Sequence, residues 1–206
     1  MLKCALLAAS VLSGALLAVA RDAATFDRGE LMFTRTAAAY PAGAPPGFSG
    51  GFGEQSCHAC HFHAEPNTGP GKLTLSGVPE RYVPGEAYTL NLTLARPGMK
   101  LAGFQLTARA KDTGMQGGTL ATAPGQEERV GIETQSNIQY ANQREKGTAL
   151  TSPDTATWTL LWTAPRTNLP IAIHVAANAA DADGTVEGDY IYTAVFEVPG
   201  PSLVGK

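Results

Sequence analysis

The chain has 206 residues, 44% of them hydrophobic, enough to bury a core in one or two domains. Only 16% are charged and the net charge is -3, so no basic face is available to neutralise phosphates, which argues against nucleic acid as a partner. The 23 glycines and 14 prolines suit a turn-rich β protein and argue against a helical bundle.

At the N-terminus, Met1-Leu2-Lys3 supplies one positive charge and is followed by an uncharged run from Cys4 to Ala20. Ala18-Val19-Ala20 reads as a small-x-small cleavage site, which makes residues 1–20 a secretory signal peptide. A membrane anchor is the competing reading, but the run is short for a span and rich in Ala, Ser and Gly. No second apolar run of spanning length follows. The expected place is therefore periplasmic or secreted, with no membrane span after cleavage. Cys4 leaves with the signal, so the mature chain keeps Cys57 and Cys60. A secreted disulfide framework would carry more cysteines, which points to chemistry rather than stapling.

Residues 21–71 read as an arm. Phe26, Leu31, Met32 and Phe33 lie at loose helical spacing and permit one short helix. Residues 41–56 are too dense in Gly and Pro for any regular element. Cys57-His58-Ala59-Cys60-His61 follows, then a turn cluster from Pro66 to Gly71.

From Lys72 the texture changes to short alternating runs rich in Thr, Val, Leu and aromatics. Strands are expected at 72–78, 88–95, 102–110, 156–163, 169–176 and 189–198, with weaker candidates at 118–121, 128–133 and 138–141. Trp158, Leu160 and Trp162 share one face, as do Ile171, Ile173 and Val175. Several short strands between turns predict a sandwich or barrel over 72–198, with a tail at 199–206. Because every strong run lies there, the sandwich is expected to fold without the arm.

The chemistry concentrates in one motif. In Cys-x-x-Cys-His, two thiols at this spacing match the two vinyl groups of haem, and the adjacent His sits under the iron as proximal ligand. Cys57 and Cys60 are thus the expected attachment points of one covalent haem c, with His61 as iron ligand. A Cys57–Cys60 disulfide is an open alternative, although no βαβ setting for a thioredoxin-like motif is visible. So is zinc held by Cys57, Cys60 and two of His58, His61 and His63, although these ligands are crowded for a tetrahedral shell. The sixth iron ligand is open among Met115, His174, Met99 and Met32, beside an open or water-ligated iron. His174 has the parity of Ala172 and is expected to face away from the core. Asp181, Asp183, Glu187 and Asp189 read as a turn with solvated acids; calcium is the sharper alternative, but the EF-hand spacing is absent.

Gly77-Val78-Pro79 and Tyr82-Val83-Pro84-Gly85-Glu86-Ala87-Tyr88-Thr89-Leu90 resemble the opening of a reelin-type (reeler) domain, found in bacterial proteins called choice-of-anchor V. Gly103-Phe104-Gln105-Leu106 resembles its second signature, and Trp158 to Pro165 its late Trp-x-x-x-Trp-x-x-Pro segment. Ala176 to Asp181 and Gly188 to Thr193 look like its end, and the Gly/Pro arm with Cys-x-x-Cys-His looks like the prefix of the bacterial members. The resemblance spans about residues 41–198. It implies an all-β, immunoglobulin-like β-sandwich, here preceded by a Gly/Pro-rich arm carrying the haem motif, and it implies little about a reaction. Pro201 to Lys206 carries no anchor, unlike many of those proteins.

The resulting expectation is an exported monohaem c-type cytochrome-like protein that transfers electrons to a redox partner protein. The strands flanking the motif do not wrap a haem as helices would, and an exposed haem edge favours electron transfer over catalysis. The alternative is an extracytoplasmic binding or adhesion module in which Cys-x-x-Cys-His is structural, holding a disulfide or zinc.

Overall fold

The computed structural model describes residues 40–202. The expected signal peptide, the short helix near residue 30, Met32 and the last four residues of the tail lie outside the described residues. The described residues form nine strands: β1 (Lys72–Ser76), β2 (Ala87–Ala95), β3 (Leu101–Ala110), β4 (Thr119–Thr122), β5 (Val130–Gln135), β6 (Ile138–Gln143), β7 (Thr155–Thr163), β8 (Ile171–Ala180) and β9 (Tyr190–Val198). They form two antiparallel sheets, in the orders β1-β2-β7-β4 and β5-β6-β3-β8-β9. The molecule is the all-β sandwich expected from the alternation. Among the described residues no helix is long and apolar enough to cross a membrane.

The core follows from strand parity. On β7, Trp158, Leu160 and Trp162 point inward and are fully buried, with Leu90, Leu92 and Leu94 of β2 beside them. Phe104 of β3 meets Trp158 from the other sheet at 4.7 Å between ring centroids. Each buried indole finds an acceptor: Trp158 Nε1 donates to the Gly147 carbonyl and Trp162 Nε1 to that of Gly117, both at 2.8 Å. The β5–β6 hairpin closes through Ser136 and Asn137, both at positive φ (51° and 65°), the two-residue turn whose twist matches the strands.

β8 runs four residues beyond the expected end at Ala176. The Ala-Ala-Asn-Ala-Ala stretch lacks β-branched residues, so propensity gives no strand signal there. Pairing supplies it, because Ala177 to Ala180 are opposite Leu101 to Phe104 on β3, and Ala177 to Ala179 are opposite Tyr190 to Tyr192 on β9.

Along β3 and β6 the other face of the five-stranded sheet is polar but not open to water. Gln105, Thr107 and Arg109 of β3 and Asn142 of β6 point away from the core and are nonetheless buried. The arm covers them. Gln105 Oε1 accepts from the backbone N–H groups of Gly47 and Phe48, and its Nε2 donates to the carbonyls of Ala44 and Pro45. Further along, Glu54 pairs with Arg109 and accepts from the Tyr140 and Ser49 hydroxyls. Asn67 exchanges hydrogen bonds with Thr193 of β9.

Candidate functional site

The arm delivers the cysteine motif to this covered face. Cys57–Ala59 form a single 3₁₀ turn, capped by Ser56, whose hydroxyl accepts from the His58 N–H at 3.3 Å. The Cys60 and His61 N–H groups both donate to the Cys57 carbonyl, at 3.2 and 3.0 Å. That tight turn brings Cys57, Cys60 and His61 to the wall of one cavity. Its volume is about 250 Å³, and its surface is predominantly apolar, with Pro45 and Phe48 from the arm and Leu101 and Phe104 from β3. Tyr40 and Leu101, which also line it, are exposed.

The two cysteines are unbridged. Burial pushes the Cys57 thiol up to about 12, with a smaller rise from Cys60, so it stays a neutral S–H at physiological pH. Among the described residues no three His, Cys, Asp or Glu side chains converge in a way that holds a metal ion, so neither the zinc set nor the calcium set drawn from the sequence is assembled.

His61 is the engaged member of the motif. Its Nδ1 lies 2.6 Å from Asp189 Oδ2 and 3.2 Å from Asn178 Nδ2. Asn178 sits on β8, and Asp189 directly precedes β9, its side chain nearly fully buried. The expectation that Asp189 belongs to a solvated acidic turn is therefore corrected: it turns inward to His61. The remaining acids of that stretch take no part in this contact. Asp183 accepts from the Thr185 N–H and hydroxyl, which holds its carboxyl below the usual range, and Glu187 pairs with His63 at 2.7 Å. Neither His58 nor His63 lines the cavity; the His63 ring packs edge-on against Tyr190.

None of the described candidates for a sixth ligand reaches the cavity wall. Met99 is locked in the core, at 1% exposure, and Met115 stands in the turn after β3 at 68% exposure. His174 does face away from the core as its parity predicts, yet it is not a free surface residue. The arm lies on it: its ring meets Phe52 edge-on at 4.9 Å, and a Cβ added to Gly51 would fall 2.2 Å from its Cγ.

Sequence signals for the cavity existed but were not decisive. Phe104 and Gln105 stand out as neighbours within one strand, one facing the core and the other facing away from it, but nothing local shows that the arm folds over Gln105. Asn178 carries no local signal beyond being a polar residue in an alanine run.

No protein-family model matches the chain, and no curated protein matches it. Among solved structures it is similar to the human F-spondin reeler domain, at 18% identity and a TM-score of 0.43, covering 64% of this chain and 88% of that one. It is likewise similar to the reelin-N domain of F-spondin, at 17% identity and a TM-score of 0.44, covering 70% and 97%. A cohesin module from a family 33 glycoside hydrolase of Clostridium perfringens is similar at 11% identity and a TM-score of 0.44, covering 63% and 95%.

Proposed function

We propose that this chain is an exported β-sandwich protein carrying one covalent haem c on the Cys57–His61 turn, and that it passes electrons to a partner protein. The observation that carries the reading is the cavity: two thiols and one imidazole share the wall of an apolar hollow. The donor set fits the group. Cys57 and Cys60 would hold it as thioethers, each S–H adding across one vinyl C=C with sulfur on one carbon and hydrogen on the other, which would need no oxidant or reductant. His61 is left with Nε2 as its free ring nitrogen, because Nδ1 is held by Asp189. Bound there, the group supplies a one-electron ferric/ferrous couple.

The chain's own residues do the rest. Pro45 and Phe48 of the arm give the hollow an apolar lining, which lowers the local dielectric around any charge held there. A hollow of about 250 Å³ falls below the ~300–1,000 Å³ of sites that enclose a whole small molecule. Tyr40 and Leu101 line this hollow and are exposed, so a redox partner would reach a group held by Cys57, Cys60 and His61 from their side.

A second reading, an extracytoplasmic binding or adhesion module, lies nearer to the compared structures, which are reeler domains and a cohesin module. In that case the apolar hollow is a ligand site and the cysteine motif is structural. Protein co-expressed with haem-attachment machinery separates the two. The pyridine haemochrome spectrum and intact mass are expected to show one haem adduct on the wild type and none on the Cys57→Ala/Cys60→Ala variant. A correctly matured wild type without an adduct, or a double variant that retains one, overturns the haem reading in favour of the second.

A further inference from the structure

The buried carboxylate of Asp189 calls for an explanation that the fold does not give. Its side chain is 4% exposed, and no lysine or arginine pairs with it among the described ion pairs. A carboxylate taken out of water without a partner is strongly destabilising. Its partners are the Asp181 N–H on Oδ1 at 3.3 Å, and Asn178 Nδ2 and His61 Nδ1 on Oδ2 at 3.4 and 2.6 Å. The His61 contact is the shortest of the three, as a hydrogen bond to an ionised group is shorter than one between neutral groups.

The donor rules then settle the ring. An ionised carboxylate only accepts, so the hydrogen between the two groups belongs to Nδ1. Asn178 Nδ2 is itself a donor, so it cannot draw that hydrogen away; it steadies Asp189 instead. Both anchors are rigid, because Asn178 on β8 is directly opposite Ile191 on β9, two residues after Asp189.

The geometry points to Asp189 as a positioning residue for His61: it fixes the Nδ1–H tautomer, aims Nε2 as the ligating atom, and makes the ring a stronger electron donor. This rests on the haem reading and extends it to the redox poise of the same site. A carboxylate behind a ligating imidazole raises the ligand's basicity. Greater donation favours the more positive ferric state, so Asp189 holds the midpoint potential low.

The test uses matured protein carrying Asp189→Asn or Asp189→Ala, with potentiometric titration alongside the haemochrome spectrum. Covalent haem is expected to persist in both, since the thioethers come from Cys57 and Cys60. The ferric/ferrous ratio at a fixed potential is expected to fall at least tenfold in Asp189→Ala, an upward shift of ~59 mV for one electron, with Asp189→Asn between it and the wild type. Nitrogen-15 NMR of the haem-free wild type gives a readout that does not depend on how the variants fold, and is expected to show His61 protonated on Nδ1. Absence of haem from the matured wild type overturns the parent reading and this inference with it. Haem present with an unchanged midpoint in both variants, or His61 protonated on Nε2, overturns this inference alone.

Discussion

Replacing Glu54 by Ala tests how the arm is held to the sheet. Glu54 reaches from the arm to Arg109 on β3, and the two side chains are 13% and 9% exposed. Tyr140 and Ser49 donate to the same carboxylate. Burial and the adjacent Glu54 push the Tyr140 hydroxyl up to about 12, so it is a neutral donor at every working pH. Glu54→Ala leaves the Arg109 guanidinium buried without an anionic partner, beside the Tyr140 hydroxyl and the Phe52 and Tyr140 rings. Breaking a buried pair on one side costs about 3–5 kcal/mol, and the residual exposure here places the value near ~3 kcal/mol. In a chain of this size that lowers the melting temperature by roughly 6–12 °C. Adding Arg109→Met removes the orphaned charge, so the double variant is expected to recover most of the loss. Urea unfolding followed by the fluorescence of Trp158 and Trp162 reads the effect, since both indoles pass from full burial to water. A single variant within about 1 kcal/mol of wild type, or a double variant less stable than the single, refutes the reasoning.

Two further outcomes follow from the same packing. Trp158→Ala removes a fully buried indole packed against Phe104 and orphans the Gly147 carbonyl, so a loss of about 3–5 kcal/mol is expected by urea unfolding, against under 1 kcal/mol for an exposed position such as Val83→Ala. His174 is depressed below its usual value, first by burial and then by the Arg109 charge, with Glu54 opposing. Below pH ~6.5 the unfolded chain then binds a proton that the folded chain resists, so stability falls as pH drops through the folded value and is unaffected above ~6.5. Urea midpoints at several pH values between 7.5 and 5 are expected to show a shallower slope for His174→Gln than for wild type; identical slopes would refute it.

The strands were legible because burial on one face imposes period two, and β7 shows it without exception: Ala156, Trp158, Leu160 and Trp162 are buried and the residues between are not. The motif was legible too, since Cys57, Cys60 and His61 are neighbours in sequence and one 3₁₀ turn suffices to gather them. What could not be read was the partner of His61. Asp189 is 128 residues away and stands in a run of acids in which Asp183 pairs within its own loop and Glu187 pairs with His63 of the arm. Period-two alternation assigns it no special environment, because it stands in the loop before β9 and its shortest contact is to His61 of the arm.

The same cause explains why the polar side of the five-stranded sheet reads as a solvent face. Gln105, Thr107 and Arg109 alternate with Phe104, Leu106 and Ala108, the ordinary signature of a half-exposed strand. Here that face needs a cover that can come close and that brings few unmet donors of its own. The Gly/Pro arm meets both conditions. Pro45 and Pro46 have no N–H to satisfy, and the carbonyls of Ala44 and Pro45 are met by the Gln105 amide. Gly51 lies where any Cβ would strike the His174 ring. A segment without regular structure is thus given its shape by side-chain amides of the sheet: Gln105, and Gln143, which donates to the Tyr40 carbonyl. Tyr40 and Pro45 stand on the cavity wall beside Cys57, so the polar face of the sheet, rather than the arm's own conformational preference, sets where the two thiols stand.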